Sequence, residues 1–541
     1  MTPDFQMGFL IIAAAVALSV PLGKWMRLVL CPAAEGRFDR ALKGGLGRSF
    51  CGEQDWKGYL LSMLGFNLVL FVLCVLVLAF QHVLPFNSDP VGRMSPDLVF
   101  NTAVSFVTNT GMGHYADGAV GSGAPTLVLI VLQFASAATG IAVFTAFCRL
   151  ISGERSPGNF FVDFGRTLFG VLLPLSLVVS LLLAIGGLPM CFDGAEPART
   201  LEGGVQLIRR GPVAAFVAIK QLGTNGGGFF AANSAHPFEN AGLLTNFIEC
   251  VSLPLLPMAC IWMFGLVTGR RRDAAVIFVV LLVFLVAKAA LCCAWEGTDN
   301  LAGRELRLGA APVWTTLTTC ASNGSLNATL DGMKPLAVLV PLAGMWFNVT
   351  FGGVGSGFLA LFAYVIVAVF ISGLMVGRTP ECFGRKVETS EMKLAILVLL
   401  LHPLLILGGT ALFCVMPDWV RAVTPGPGFR GFTEALYEMT SAAANNGSGF
   451  KGLLSDTVPW NLATGFIMLV GRYVPLALML ALAGGLAAKK PVPVTVGTLR
   501  TDTLLFGCVL ALAVIFIGAL LFLPVAVLGP FADYLSTLEV R

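Results

Sequence analysis

The chain repeats one short pattern four times, and each copy sits between two long apolar segments. The copies read SFVTNTGMG (Ser105 to Gly113), KQLGTNGGGFF (Lys220 to Phe230), TTCASNGSL (Thr318 to Leu326) and TSAAANNGSGF (Thr440 to Phe450). Each joins a weakly helical, Ser/Thr/Ala-rich run to a polar turn containing glycine. Aligned on asparagine, the turns share Asn109, Asn225, Asn323 and Asn446, followed by Thr110, Gly226, Gly324 and Gly447. The copies recur roughly every 100 to 120 residues, room for a unit of two spanning helices. Asn-Gly alone is an ordinary turn dipeptide. Four copies in phase form an internal repeat, and a repeat constrains the architecture before any single motif does.

Composition supplies the solvent. The chain is 56% apolar and only 12% charged, against about 25% charged in soluble proteins, so it reads as a polytopic membrane protein. The thirteen cysteines show no CxxC spacing, and several (Cys74, Cys148, Cys260) lie in apolar runs, where Cys acts as a small hydrophobe. No disulfide framework is expected. His82, His114, His236 and His402 are isolated in sequence and lack ligand spacing. This argues against a metal centre and against a membrane enzyme with clustered acid–base groups. No basic tail or aromatic–basic interleaving points to nucleic acid. There is no GxxxxGK[ST] loop, no Asp-Lys-Thr-Gly phosphorylation loop and no soluble domain large enough for a nucleotide. The chain is therefore expected to bind no nucleotide, and any ATPase must be another chain.

Apolar runs of spanning length fall near 8–26, 58–81, 126–149, 167–188, 244–267, 274–294, 336–375, 393–416, 461–487 and 503–526. Half-length segments at 96–107, 211–222, 311–321 and 431–444 lead into the turns. The expected fold is an all-α membrane protein of ten spans, with four membrane–pore–membrane repeats around a pseudo-fourfold axis. Its units are an extra helix and cytoplasmic loop (1–57), four repeats (58–150, 167–268, 274–377 and 392–488) and a C-terminal extra helix (502–541). In the third repeat FGGVGSG (Phe351 to Gly357) interrupts the second span. Each glycine there costs a helix about 1 kcal/mol relative to alanine, so a broken helix facing an aqueous path is expected. More than half of the 34 Lys and Arg lie in loops 24–57, 149–166, 270–272, 378–393 and 489–500. These loops read as cytoplasmic and the turns as external. Both termini are then external, which agrees with a first span that no Lys or Arg precedes.

Half-helices entering from outside point their C-terminal, partly negative ends inward, which favours a cation. Glycines at 226, 227, 228, 324, 447 and 449 permit backbone angles closed to other residues. Successive carbonyls can then face the axis and replace a cation's water shell, as in potassium channels. The expected filter comprises Thr108, Asn109, Thr110 and Gly111; Gly223, Thr224, Asn225, Gly226, Gly227 and Gly228; Ser322, Asn323, Gly324 and Ser325; and Asn445, Asn446, Gly447 and Ser448. None is a carboxylate, whereas divalent sites recruit Asp or Glu. A neutral ring of carbonyls and hydroxyls (Thr108, Thr110, Thr224, Ser322) suits a large monovalent ion, and K+ is the first choice. Asp117, Glu434 and Glu438 are candidates for attracting cations to the mouth. Lys334 and Lys451 read as loop charges. Lys288 and Arg472 lie within spans, where charge is usually functional, although Arg472 is placed to snorkel.

Several stretches resemble the potassium-binding component of the Kdp potassium-transporting ATPases, the KdpA family: FNTAVSFVTNT (Phe100 to Thr110), LGTNGGGFFAANSAHPFEN (Leu222 to Asn240), FGGVGSG, GLMVGRTPE (Gly373 to Glu381), AANNGSGF (Ala443 to Phe450) and GPFADYLS (Gly529 to Ser536). They span nearly the whole chain, and the second is highly specific. The resemblance implies a bacterial inner-membrane protein, set among membrane lipids, that takes external K+ through its filter. It implies an intramembrane tunnel to a KdpB-like P-type ATPase, with the single-span KdpC-like protein and the small KdpF-like peptide completing the complex. Gly352, Gly353, Gly355 and Gly357 would form a gating loop below the filter. Two turns depart from the family. Gly111-Met112-Gly113 stands where Asn-Trp-Gln is common, and Ser322-Asn323-Gly324 where Ser-Cys-Gly is common. The alternative is the pore of a Trk/Ktr-type transporter gated by cytosolic nucleotide-binding proteins. It requires the same filters but eight core helices.

Overall fold

The computed structural model describes residues 3–539 except 35, 48–50, 85–88, 90, 116–117, 297–309, 376, 378–379, 417, 419–427, 451–452, 454 and 493–499. Asp117 and Lys451 lie outside the described residues. Among the described residues, ten helices are long and apolar enough to cross a membrane. In chain order, α1 (Pro3–Leu30) is followed by a short α2 (Arg37–Leu46), α3 (Trp56–Ala79), the half-length α4 (Pro96–Val107) and α5 (Ala124–Ser152). Next, α6 (Phe160–Thr167) runs through a π-turn into α7 (Leu173–Ile185), then come the half-length α8 (Val213–Leu222) and α9 (Leu243–Val267). The third group is α10 (Arg271–Glu296), the half-length α11 (Ala310–Cys320), α12 (Pro335–Phe347) and α13 (Ser356–Met375). The last comprises α14 (Thr389–Val415), the half-length α15 (Phe429–Ala443), α16 (Val458–Ala488), α17 (Leu504–Ala526) and α18 (Ala532–Glu539). Apart from an isolated antiparallel bridge between Gln54 and Gly158, strand pairing among the described residues is confined to two small antiparallel hairpins, Glu196–Arg199 with Val205–Ile208 and Glu381–Cys382 with Arg385–Lys386.

Burial separates the centre from the rim. The apolar windows of α5 and α9 are 78% and 83% buried, and that of α3 only 17%. α3 turns Leu61, Leu68, Val69 and Leu73 outward, the face a bilayer would cover. With no hydrophobic drive between helices in lipid, close backbone approach does the packing. α1 lies along α9, and at Gly23 a Cβ would meet Trp262 and the Ala259 carbonyl within 2.8 Å.

At the opposite end of α5 from the first turn, Arg149 holds the fold together. Its guanidinium makes a bidentate pair with Asp163 at 2.7 and 2.8 Å and also donates to the Leu30 and Pro157 carbonyls. Tyr59 donates to Asp163 at 3.2 Å, and Arg166 to Asp39 at 2.7 Å. Breaking one partner of a buried pair leaves the other uncompensated, at about 3–5 kcal/mol. Asp163→Ala should therefore lower the thermal unfolding midpoint sharply, whereas Asp163→Asn, which keeps two polar atoms, should lower it less. Burial opposes ionisation of Asp39, but the hydrogen bonds from Arg166 and the Gly36 N–H outweigh it and hold this carboxyl below its ordinary range. Its contribution is complete above the unfolded value of about 4 and is lost as pH falls through the lower folded value.

Candidate functional site

All four half-helices end alike. The N–H groups of Thr110, Asn225, Asn323 and Asn446 donate to the carbonyls five residues back, on Ser105, Lys220, Thr318 and Ser441, at 2.7 to 3.1 Å. The residue before each is left-handed: Asn109 (φ 63°), Thr224 (50°), Ser322 (48°) and Asn445 (50°). The residue after each is a left-handed glycine: Gly111 (66°), Gly226 (76°), Gly324 (97°) and Gly447 (97°). Such bonds reaching back past a left-handed residue satisfy the last orphan carbonyls of a helix. Holding a β-branched residue such as Thr224 there costs about 1–2 kcal/mol, strain of the kind found at functional sites.

This geometry corrects the alignment on asparagine by one residue in the first repeat. Thr110, not Asn109, is the counterpart of Asn225, Asn323 and Asn446, and Gly111 is the counterpart of the three glycines. The register is set by the helix-end bonding, which accepts Asn, Thr or Ser at the left-handed position.

The four turns meet. A Cβ built on Gly226 would lie 2.7 Å from the Asn446 carbonyl and 2.9 Å from that of Thr110, and closer still to that of Asn323. A Cβ on Gly111 would strike the Asn225 carbonyl, one on Gly324 that of Asn446, and one on Gly447 that of Thr110. Carbonyls from one equivalent position in every repeat therefore converge, with the glycine after each making the approach possible.

Side chains of the turns bind neighbouring repeats sideways and close a ring. Asn109 donates to the Gly223 and Thr224 carbonyls at 3.1 and 2.7 Å. Asn323 donates to the Lys220 and Gln221 carbonyls at 3.0 and 3.2 Å. Asn446 reaches the Thr318 carbonyl and Asn445 the Thr110 hydroxyl, both at 3.0 Å. The hydroxyls expected in the ring are engaged within the protein as well. Thr108 and Thr110 pair at 2.8 Å, Thr224 accepts from the Val354 N–H at 3.0 Å, and Ser322 donates to the Ala444 carbonyl at 2.7 Å. Asparagines and hydroxyls thus tie the turns to one another, and the groups that converge at their centre are backbone oxygens.

On one side of the turns lies a cavity of about 210 Å³ lined by Gly111, Gly324 and Gly447, with Tyr115, Asn233, Glu438 and Asp456 on its walls. Glu438 Oε1 lies 2.8 Å from one His114 ring nitrogen, and the other ring nitrogen meets Asn461 at 2.6 Å. Glu434 pairs with Arg430 at 3.4 Å. Lys334 is exposed in its loop.

On the other side lies the break between α12 and α13, residues 348–355. It carries left-handed angles at Asn348, Phe351, Gly352 and Gly355. The Gly352 N–H donates to the Cys320 carbonyl at the end of α11, and the Val354 N–H to Thr224, so the break is fastened directly beneath the second and third turns. Lys288 donates to Thr350 at 2.9 Å and Arg472 to Ser356 at 2.9 Å. Arg472 is 5% exposed, which corrects the expectation that it snorkels. Its head turns inward to the foot of the break. A second cavity, of about 70 Å³, runs from Asn445 past Ser356 and Arg472 to His402 and Phe522.

Sequence reading missed a buried cluster of ionisable residues behind the second turn. Lys220, Glu239 and Glu249 are all fully buried, with Lys220 and Glu239 2.5 Å apart. The available signal was a lysine in the last turn of an apolar half-helix and a glutamate inside an apolar span, both costly in lipid.

A family model described as the potassium-transporting ATPase A subunit, KdpA, matches residues 9–535. A potassium-transporting ATPase potassium-binding subunit of Geobacillus kaustophilus (strain HTA426) is 42% identical, over 98% of this chain and 99% of that protein. The crystal structure of the potassium transporter TrkH from Vibrio parahaemolyticus aligns with a TM-score of 0.53, covering 89% of this chain and 98% of that one. At 13% identity that likeness speaks for the fold alone. With the family model spanning nearly every residue and close identity end to end, the chain belongs to the KdpA family of potassium-transporting ATPase components.

Proposed function

We propose that this chain is the potassium-selecting membrane component of a high-affinity, ATP-driven K+ import complex. The observation that carries the reading is the convergence of the Thr110, Asn225, Asn323 and Asn446 carbonyls about the four ring glycines. Neutral carbonyls suit an ion that sheds its water cheaply, and no carboxylate stands within the four turns to favour a divalent one. The filter comprises the turn residues 108–111, 223–228, 322–325 and 445–448, one turn from each repeat. The cavity beside Glu438 is its external vestibule, with both chain termini on that side, and the glycine break is its gate. The second cavity begins the path by which K+ passes through the membrane to a KdpB-like P-type ATPase. KdpC-like and KdpF-like proteins complete the assembly, which resides in the bacterial inner membrane. ATP is hydrolysed on the partner, and this chain supplies selection and delivery.

The test is ATP hydrolysis by the chain purified with its membrane partners, titrated with K+ against Na+. Stimulation by K+ at far lower concentration than by Na+, blocked by vanadate, is the expected result. Potassium flux in vesicles without any coupled ATPase would overturn the pump assignment and leave a channel-like carrier of the Trk/Ktr kind.

A further inference from the structure

The four repeats differ at one position behind the filter. Ser105, Thr318 and Ser441 occupy equivalent sites, each a residue whose carbonyl takes the turn's returning N–H. Their hydroxyls accept a further backbone N–H from just beyond the ring position, from Met112 at 2.5 Å, Gly324 at 2.9 Å and Gly447 at 2.9 Å. In the second repeat the residue is Lys220, which has three donors and no acceptor. It cannot make that bond.

Lys220 instead acts one step further out. Its fully buried Nζ donates to Asn233 Oδ1 at 2.8 Å, Ser234 Oγ at 2.7 Å and Glu239 Oε2 at 2.5 Å, using all three protons. Glu239 Oε1 accepts the Phe230 N–H at 2.7 Å, so the ion pair also fixes the loop that follows the turn. Asn233 is left-handed at φ 54°. Because the ammonium claims its Oδ1, its Nδ2 must face the opposite way, and there it donates to the Gly226 carbonyl at 2.7 Å. A lysine thus fixes the flip of an amide, and the amide fixes a carbonyl at the vestibule end of the second turn.

We infer that Lys220 and Asn233 are positioning residues for ion preference: the buried ammonium orients the Asn233 amide, and that amide sets the direction of the Gly226 carbonyl. The inference rests on the carbonyl-ring reading above. A hydrogen bond to one lone pair holds that oxygen off-axis and limits how far it follows a smaller ion inward. This resists the collapse that would let the ring fit Na+.

The experiment uses the complete complex and reads the K+ and Na+ concentrations for half-maximal ATPase together with the maximal rate. Asn233 is only half-buried, so Asn233→Ala leaves no new buried charge. It should narrow the K+/Na+ ratio about tenfold, the scale of one lost hydrogen bond, with the maximal rate retained. The double variant Lys220→Met with Glu239→Gln removes the ion pair, leaves Glu249 on its hydrogen bonds from Gln221 and Ser234, and should narrow the ratio in the same direction, because the amide loses its orienting partner. A purely structural role predicts lower yield or maximal rate at an unchanged ratio, and that outcome overturns the inference. Gly226→Asp, measured alongside, separates the two levels. If it alters the ratio while Asn233→Ala does not, the positioning role falls and the filter stands. If neither alters it, the filter reading falls first.

Discussion

A Gly226→Asp chain is expected to assemble with its partners and to lose potassium affinity by on the order of a hundredfold, with discrimination against Na+ reduced alongside. Three effects act together. At φ 76° any side chain adds strain of about 1–2 kcal/mol. The new Cβ meets the Asn323, Asn446 and Thr110 carbonyls, so at least two of those oxygens must withdraw, and two lost ion contacts near 1–1.5 kcal/mol each give about that factor. The carboxylate also brings a negative charge to a ring built from neutral dipoles, which relaxes the preference for a weakly hydrated ion. Potassium activation of ATPase, or direct K+ binding in detergent, reads the outcome. Wild-type affinity and ion preference in this variant would remove the carbonyl ring from consideration.

Deleting Gly353 to Gly355 is expected to do the reverse, changing transport rate by about tenfold or more, as lid and gate lesions do, while the K+/Na+ ratio stays near wild type. The deletion removes the Val354 N–H that fastens the break to Thr224 and the left-handed Gly355 that packs against Gly140 on α5. The ring carbonyls lie outside the deleted segment. Flux and ATPase turnover, measured with the ion ratio, decide the matter. A change of ratio at unchanged rate would refute a gating role.

Much of the fold was legible because lipid demands long apolar helices and leaves few alternatives. The expected spans at 58–81 and 244–267 are helices Trp56–Ala79 and Leu243–Val267, and the half-length segment 96–107 is helix Pro96–Val107. The glycine run was legible as a break because four helix-breaking residues stand within one turn and a half. The four turns of the candidate site were legible as a repeat, but the partners of their side chains were not. The asparagines look like lining in sequence, yet Asn109, Asn323 and Asn446 commit their amides to neighbouring repeats. One-residue register in the first turn depends on a backbone bond to Ser105 that residue identity does not encode. The His114–Glu438 pair joins residues far apart in the chain, and Arg472 finds Ser356 only after the third and fourth repeats have packed. Local patterns carry no record of such meetings.

The ring of lateral bonds is closed within one covalent chain, and this changes what a point substitution can do. In an assembly of four identical chains, every change at the filter is made four times and every compromise is shared. Here each quarter is inherited separately. Ser105, Lys220, Thr318 and Ser441 can diverge at one equivalent place, with an ammonium in one quarter and hydroxyls in three. On the proposed carbonyl-ring reading, each turn can therefore be altered separately, although a side chain added in one turn presses on the carbonyls of the other three.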